Sequence, residues 1–500
     1  MAYDVVVVGG GIGGLTAAAL LSARGMKVCL FEKEAQAGGC AAGFEKFGYT
    51  FETTASLYAS WQPGEIHERV FAELPVQPPE VRRVKPAYTV RLPDQTQIPI
   101  SENDEEFEES LHRSFPECAQ MAVSFYRELA PLAESLQRVA QRVPDLPTAS
   151  KLRRMKAVAP EAFIAPRIYA AMNDSAAKHL TQTSTRFRRF IDAQLLMFAQ
   201  RDNASCAYLY AAIALCLPRR GMYEIRGGAP ALVYALVEAI RKSGGTVRLN
   251  TPVLRLAYDS SGQARGVDLL TGERVEATRA IISNLTVWDT YGRLVGLNST
   301  PAEIRSRLKK LHAWGAYLLF LGLDEETAQR LPSAHILALN GEQQTVDDEP
   351  PASQLMFAAA PAWDTRGPAG KRAVTVAAFT DPEQWFAFHQ DESEHEGLDQ
   401  SWLEACWERL HAALPELGSG IEVIETATPR TFYENTRRKL GMVGGVGQSL
   451  DVFGPNSLTH RTFLPNLYMV GDSTFPGNGV AAVTQSALIV ANELARPARK

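Results

Sequence analysis

The sequence predicts an α/β fold in which a parallel sheet is interleaved with a mixed-sheet domain that carries a helical insertion. Three observations predict it. A β-branched run, Tyr3 to Val8, leads through Gly9 to Gly14 into an alanine-rich helix, Leu15 to Arg24, and on to a second strand, Lys27 to Glu32. Alternation over Tyr88 to Ile100, broken by the Pro93-Asp94 turn, reads instead as a hairpin of a more antiparallel sheet. Strand and helix patterns of the first kind then return after residue 218 and again near the C-terminus.

The first 32 residues have the length that a right-handed βαβ crossover requires, with Gly25 ending the helix. After the hairpin, Ser101 is the expected cap of a helix whose opening is dense in acids (Glu102, Asp104, Glu105, Glu106, Glu108, Glu109), where negative charge suits the helix dipole. A mainly helical stretch follows to about Leu217, interrupted at Pro144, Pro147, Pro160 and Pro166. Its middle mixes Lys151, Arg153, Arg154, Lys156 and Arg167 with Leu152, Met155, Val158, Phe163, Ile164 and Ile168. That mixture fits an interfacial helix, and equally a solvated helix with a core face.

Beyond the insertion, Ala229 to Lys242 reads as a helix, Thr246 to Asn250 as a strand, Leu254 to Tyr258 with Ala264 to Leu270 as a hairpin, and Arg279 to Ser283 as a buried strand. Strands of the second sheet are expected at Ala316 to Leu323 and Ala373 to Thr380. The chain closes with a strand at Leu467 to Val470 and a helix at Gly479 to Glu493.

Composition narrows the function. With 46% hydrophobic and 21% charged residues the chain is globular, and its net charge of -5 offers no general attraction to nucleic acid. Six scattered cysteines without a C-x-x-C pair or a histidine cluster predict neither structural zinc nor a disulfide framework. The N-terminus lacks a basic n-region, and the longest apolar runs fall short of the roughly 20 residues of a spanning helix. A cytoplasmic chain is expected, with any membrane contact peripheral and at the inner face; oligomeric state is left open.

Gly9, Gly11 and Gly14 form G-x-G-x-x-G between strand and helix, a setting in which the amides around Ile12 and Gly13 can bind a pyrophosphate. Glu32, followed by Lys33, lies eighteen residues past Gly14 at the end of the second strand, where a carboxylate accepts ribose hydroxyls and repels a 2′-phosphate. A Rossmann-like nucleotide-binding domain follows. The pair Gly38-Gly39, with Gly43-Phe44 and Gly48-Tyr49 after it, makes the run Glu32 to Phe51 resemble the second glycine motif of the FAD-linked superfamily of amine oxidases, protoporphyrinogen oxidases and carotenoid desaturases.

Pro465 to Val480 is similar to that superfamily's flavin segment, and Gly221 to Leu236 with Val247 to Leu256 to its middle segment. The resemblance spans the chain and implies non-covalent FAD: Asp472 after Gly471 on the ribityl chain, amides of Val480 and Ala481 after Gly479 at the flavin's pyrimidine edge, and Val253 at the adenine. It implies an FAD half built from residues 1–80, 218–290 and 456–500, and a substrate half from 81–217, with the insertion, and 291–455. No cysteine in the C-terminal segment supports a covalent link.

The phrases at Gly39 to Gly43, Gly441 to Gly445 and Gly471 to Gly477 most resemble bacterial carotenoid desaturases and carotenoid isomerases. Cys40 stands where amine oxidases usually carry Arg, and Glu52, Thr53 and Thr54 where desaturases usually carry Asp then Gly. The implied substrate is a hydrophobic polyene, a carotenoid, and the implied reaction is desaturation, with isomerisation or reduction as alternatives. A non-catalytic ligand carrier and a soluble amine oxidase are the competing classes. No side chain is singled out as catalytic or as a metal ligand. Phe187, Phe190, Leu195, Met197, Phe198, Tyr208 and Tyr210 are candidates for a substrate tunnel or for core, and His312 and His335 read as structural.

Overall fold

A computed structural model describes residues 2–53, 56–341, 353–387 and 392–495. Thr54 lies outside the described residues. The strand Ala2–Val8 sits at the centre of a seven-stranded sheet, parallel on one side to Val28–Phe31 and on the other to Arg274–Ser283. Its period of two is visible in the packing. Val5 and Val7 enter a core formed with the helices Ile12–Ala23, Gly228–Lys242 and Val480–Ala495, while Val6 and Val8 enter another on the opposite face.

The strand Arg274–Ser283 forks. Its first residues pair antiparallel with Ala264–Leu269, and its last three pair parallel with Leu467–Met469. This fork brings the C-terminal segment beside the first glycine loop.

The second seven-stranded sheet is antiparallel except where His335–Leu339 runs parallel to Thr89–Arg91. The strand Gly315–Asp324, second from one edge, is almost wholly buried because both faces are covered. Tyr317, Leu319, Leu321 and Leu323 pack on Trp402, Cys406 and Leu410 of the helix Glu392–Ala413. Ala316, Leu318 and Phe320 face the other way, toward Tyr49 and Phe51. The strands Gln354–Ala359 and Ile421–Ala427 escaped the sequence reading, being short apolar or mixed runs without clear turn chemistry. A small third sheet joins Tyr58–Ala59, Met222–Ile225 and Val81–Val84.

The insertion is helical as expected, and its largest helices, Ala119–Arg142, Thr185–Ala199 and Tyr208–Arg220, share one core. One cap differs from expectation. Asn103, not Ser101, caps the helix Asp104–Ser114, its Oδ1 accepting from the amides of Glu105 and Glu106 at 2.9 and 3.2 Å. Ser101 Oγ instead accepts from Asn103 N and donates to Glu106, so it braces the capping residue.

Candidate functional site

Three glycine-bearing turns meet at the carboxyl ends of the parallel strands. Each owes its position to a strand edge. Gly9 leaves the strand Ala2–Val8 with φ +97°, a left-handed value that glycine adopts without strain. A side chain on Gly11 would place its Cβ 2.6 Å from Asn284 Nδ2, and one on Gly13 would place it 3.1 Å from the amide nitrogen of Gly471. The helix Ile12–Ala23 thus begins in a space that tolerates only backbone. Gly38 and Gly39, with φ +130° and +55°, bring the second turn alongside, where Gly38 and Gly11 form an isolated bridge. This close approach suits the pyrophosphate of a dinucleotide, which needs backbone amides rather than side chains around it.

Glu32 rests against the first turn, its carboxylate accepting from Gly10 N at 2.6 Å and from Glu34 N at 3.0 Å. Lys33 turns away, to Glu34 and to the carbonyls of Glu434 and Asn435 at the end of the helix Pro429–Thr436. Val253 begins the outer hairpin strand and is partly buried.

A cavity of about 600 Å³ opens from these turns toward the helical insertion and the second sheet. Of the residues expected from sequence, Gly11, Ile12, Gly13, Gly38, Gly471, Asp472, Gly479, Val480 and Ala481 line it. Gly9, Gly14, Glu32, Lys33, Gly39 and Val253 stand outside the lining, so the geometry divides the set in two. Farther from the glycines the walls are apolar: Met197, Phe198, Ile213 and Leu217 from the insertion face Leu318 and Met356 from the second sheet. Of the proposed tunnel aromatics only Phe198 and Tyr210 line the cavity, together with Met197; Phe187, Phe190, Leu195 and Tyr208 are buried in the insertion core.

Sequence reasoning missed several lining residues. Asn284 touches the positions where Gly11, Gly13, Gly14 and Gly471 would carry a Cβ; its signal was its place directly after a buried parallel strand. Arg438 donates from Nη2 to Asp472 Oδ2 at 2.8 Å. Tyr210 donates to Asn478 Oδ1 at 2.8 Å, and burial raises its phenol's pKa, so it remains protonated at neutral pH. Burial likewise raises the Cys40 thiol. His335 is buried in its strand and His312 is pushed below the usual histidine range by burial and then by Arg201. Neither lines the cavity. Among the described residues there is no His, Cys, Asp and Glu cluster able to hold a metal.

The chain is similar to known proteins along nearly its whole length. Over 499 residues the chain is 25% identical to a chloroplastic prolycopene isomerase of Arabidopsis thaliana, covering 99% of this chain and 82% of that one. It is 24% identical to an all-trans-retinol 13,14-reductase of Danio rerio, with 98% and 86% covered. The fold superposes on an oxidoreductase from Methanosarcina mazei with a TM-score of 0.65 at 18% identity, covering 98% and 99% of the two chains. The family described as flavin containing amine oxidoreductase matches residues 12–495, from the first glycine turn through the last helix. Since that match covers nearly the whole chain, from inside the first glycine turn to the end of the last helix, the chain belongs to the flavin-containing amine oxidoreductase family and is an FAD-dependent enzyme.

Proposed function

We propose that this flavin enzyme acts on a long apolar polyene of the carotenoid or retinoid class and that its reaction is a redox-neutral isomerisation. One observation carries the reading: the cavity continues from the flavin-binding turns into a corridor walled by Met197, Phe198, Ile213, Leu217, Leu318 and Met356. Such a surface gains by removing hydrocarbon from water. The relatives named prolycopene isomerase, matched along nearly the whole chain, favour isomerisation. Net desaturation, favoured by the phrases at Gly39 to Gly43 and Gly441 to Gly445, is the second reading.

Bound flavin supplies hydride exchange with an allylic carbon. The chain's own residues hold and orient. In this reading the amides of Gly11 to Gly14 and Gly38-Gly39 receive the pyrophosphate, Glu32 the ribose, Val253 the adenine, Asp472 the ribityl chain, and the amides of Val480 and Ala481 the pyrimidine edge. The apolar walls keep the polyene extended and exclude water.

We also assign the insertion a peripheral contact with an anionic membrane leaflet, the cytoplasmic face being the one that carries such lipids. The helix Lys151–Val158 buries only Ala157, leaving Leu152 and Met155 exposed beside Lys151 and Lys156, and Phe163 is 97% exposed. Among the described residues no helix is long and apolar enough to cross a membrane.

The test is co-expression in cells that make acyclic carotenoids, with a Gly11→Val control. Unchanged product mass with altered chromatographic retention supports isomerisation; loss of two hydrogens per step transfers the assignment to desaturation, and gain to reduction. Pigments identical to the control would reject the carotenoid substrate.

A further inference from the structure

Arg438 belongs by sequence to the substrate half, yet it meets the flavin site. The helix Pro429–Thr436 packs against the turn Gly39–Ala41, with Phe432 sharing a cluster with Cys40 and Phe44. The chain leaving that helix carries Arg438 to Asp472. Its side chain is 16% exposed; Nε donates to the Met442 carbonyl at 2.6 Å and Nη2 to Asp472 Oδ2 at 2.8 Å. Nη1 has no partner among the described residues, although Arg438 lines the cavity beside Gly11, Gly13, Gly38 and Cys40.

Charge singles this residue out. Two other arginines line the cavity: Arg220 lies 3.6 Å from Glu65, and Arg69 is exposed to solvent. The three glycine turns bring no cation, while Glu32 and Asp472 add negative charge near a cofactor that itself carries a doubly anionic pyrophosphate. A guanidinium fixed in a fork by two protein acceptors loses little further freedom when a remaining donor takes a phosphate oxygen.

We propose that Arg438 is a cofactor anchor, oriented by Asp472 and the Met442 carbonyl, whose Nη1 binds a pyrophosphate oxygen of FAD and so clamps the 429–443 segment of the substrate half onto the nucleotide-binding half. The inference rests on the flavin site and not on the choice of polyene chemistry.

The experiment is a double-mutant cycle on FAD affinity, read by quenching of flavin fluorescence in the full chain stripped of cofactor. Arg438→Ala weakens FAD by about 10- to 100-fold, the range of one charge-assisted hydrogen bond. Arg438→Lys recovers part of that loss. The deciding comparison is Arg438→Ala made in an Asp472→Asn background: a further loss of at least about tenfold means that the arginine touches the cofactor. No further loss means that it only neutralises Asp472, which overturns the proposal. Riboflavin, which lacks the pyrophosphate, supplies the second readout; an equal loss of riboflavin affinity also overturns it. If the alanine variant unfolds without cofactor, Arg438→Gln takes its place through the same cycle. A wild-type chain that binds no FAD would sink the flavin site and this proposal together, whereas FAD affinity indifferent to residue 438 sinks the proposal alone.

Discussion

Arg366 and Glu52 form an ion pair inside the protein, with 6% and 2% of their side chains exposed, although 314 residues separate them in sequence. Arg366 also lies 2.9 Å from Asp364, and Glu52 accepts from Tyr58, from Ser56 at 3.0 Å and from the amide of Ala229 at 2.9 Å. The network ties the end of the hairpin Gly43–Glu52 to the helix Gly228–Lys242 and, through Thr375 Oγ1 donating to the Glu52 carbonyl at 2.8 Å, to the second sheet. Replacing Arg366 by Met leaves two buried carboxylates without their cation. The expected cost is about 3–5 kcal/mol, measured by denaturant unfolding of the chain without cofactor. A loss below about 1 kcal/mol would mean that water or a conformational shift relieves the charge.

The pH dependence of that pair has a definite sign. Burial raises the Glu52 carboxyl, but Arg366 and the donors Tyr58 and Ala229 outweigh it, and the net pKa is lowered. A depressed carboxylate contributes stability above its unfolded pKa of roughly 4.3 and loses it as pH falls through the folded value. Three buried histidines act at higher pH. Burial pushes His335 and His460 down to about 4 and His67 to about 3. Their unfolded forms take up protons near pH 6.5 while the folded forms do not, so each withdraws roughly 2 kcal/mol between pH 7 and pH 5. Unfolding at the two pH values should differ by roughly 5 kcal/mol from these three groups, with proton uptake on unfolding at pH 5 near three. His460→Gln should lower that uptake by about one proton. An uptake unchanged in the variant would show His460 already protonated in the folded state.

The strand, glycine turn and helix units were legible because their signals are local: β-branched runs, positive-φ turns and a helix of small residues follow one another within thirty positions. Asn103 and Ser101 were not separable, because both are good caps two residues apart and only the backbone decides which side chain reaches the free amides. The second sheet was half visible. Gly315–Asp324 declares itself by a long apolar run, whereas Ile421–Ala427 carries Glu422 and Glu425 and gains its strand from pairing with that neighbour. Asn284 and Arg438 were hidden for a different reason. Neither belongs to a repeated spacing, and each acquires its place from segments far off in sequence: Asn284 between Gly11 and Gly471, Arg438 across 34 residues to Asp472.

The exposed apolar residues of the insertion make the membrane assignment testable. The triple variant Leu152→Ser, Met155→Ser, Phe163→Ser removes side chains that the folded chain leaves in water, so its thermal midpoint should stay within about 2 °C of wild type. Co-sedimentation with vesicles containing anionic lipid should fall by tenfold or more, because burying one such side chain is worth about 1.5–3 kcal/mol. Vesicle binding that survives the substitutions but vanishes in salt would assign the contact to Lys151 and Lys156 alone.

Blocking the corridor separates substrate access from flavin binding. Ile213 sits on the helix Tyr208–Arg220, one turn from Tyr210 and Leu217, and its side chain forms part of the apolar wall while the glycine turns lie elsewhere in the cavity. Tryptophan at this position adds a ring to the lumen and not to a filled core, so the fold has room for it where a polyene would otherwise pass. FAD content and the cofactor's absorption should remain those of wild type. Conversion of the polyene should fall by about 10- to 100-fold, the penalty of forcing an extended chain past an overfilled wall. Leu217→Trp, one turn farther along the same helix, should discriminate by substrate length, sparing a short retinoid more than a long carotenoid. Equal loss for both lengths would mean that the polyene does not run along this helix, and full conversion in both variants would place its path on another wall of the cavity.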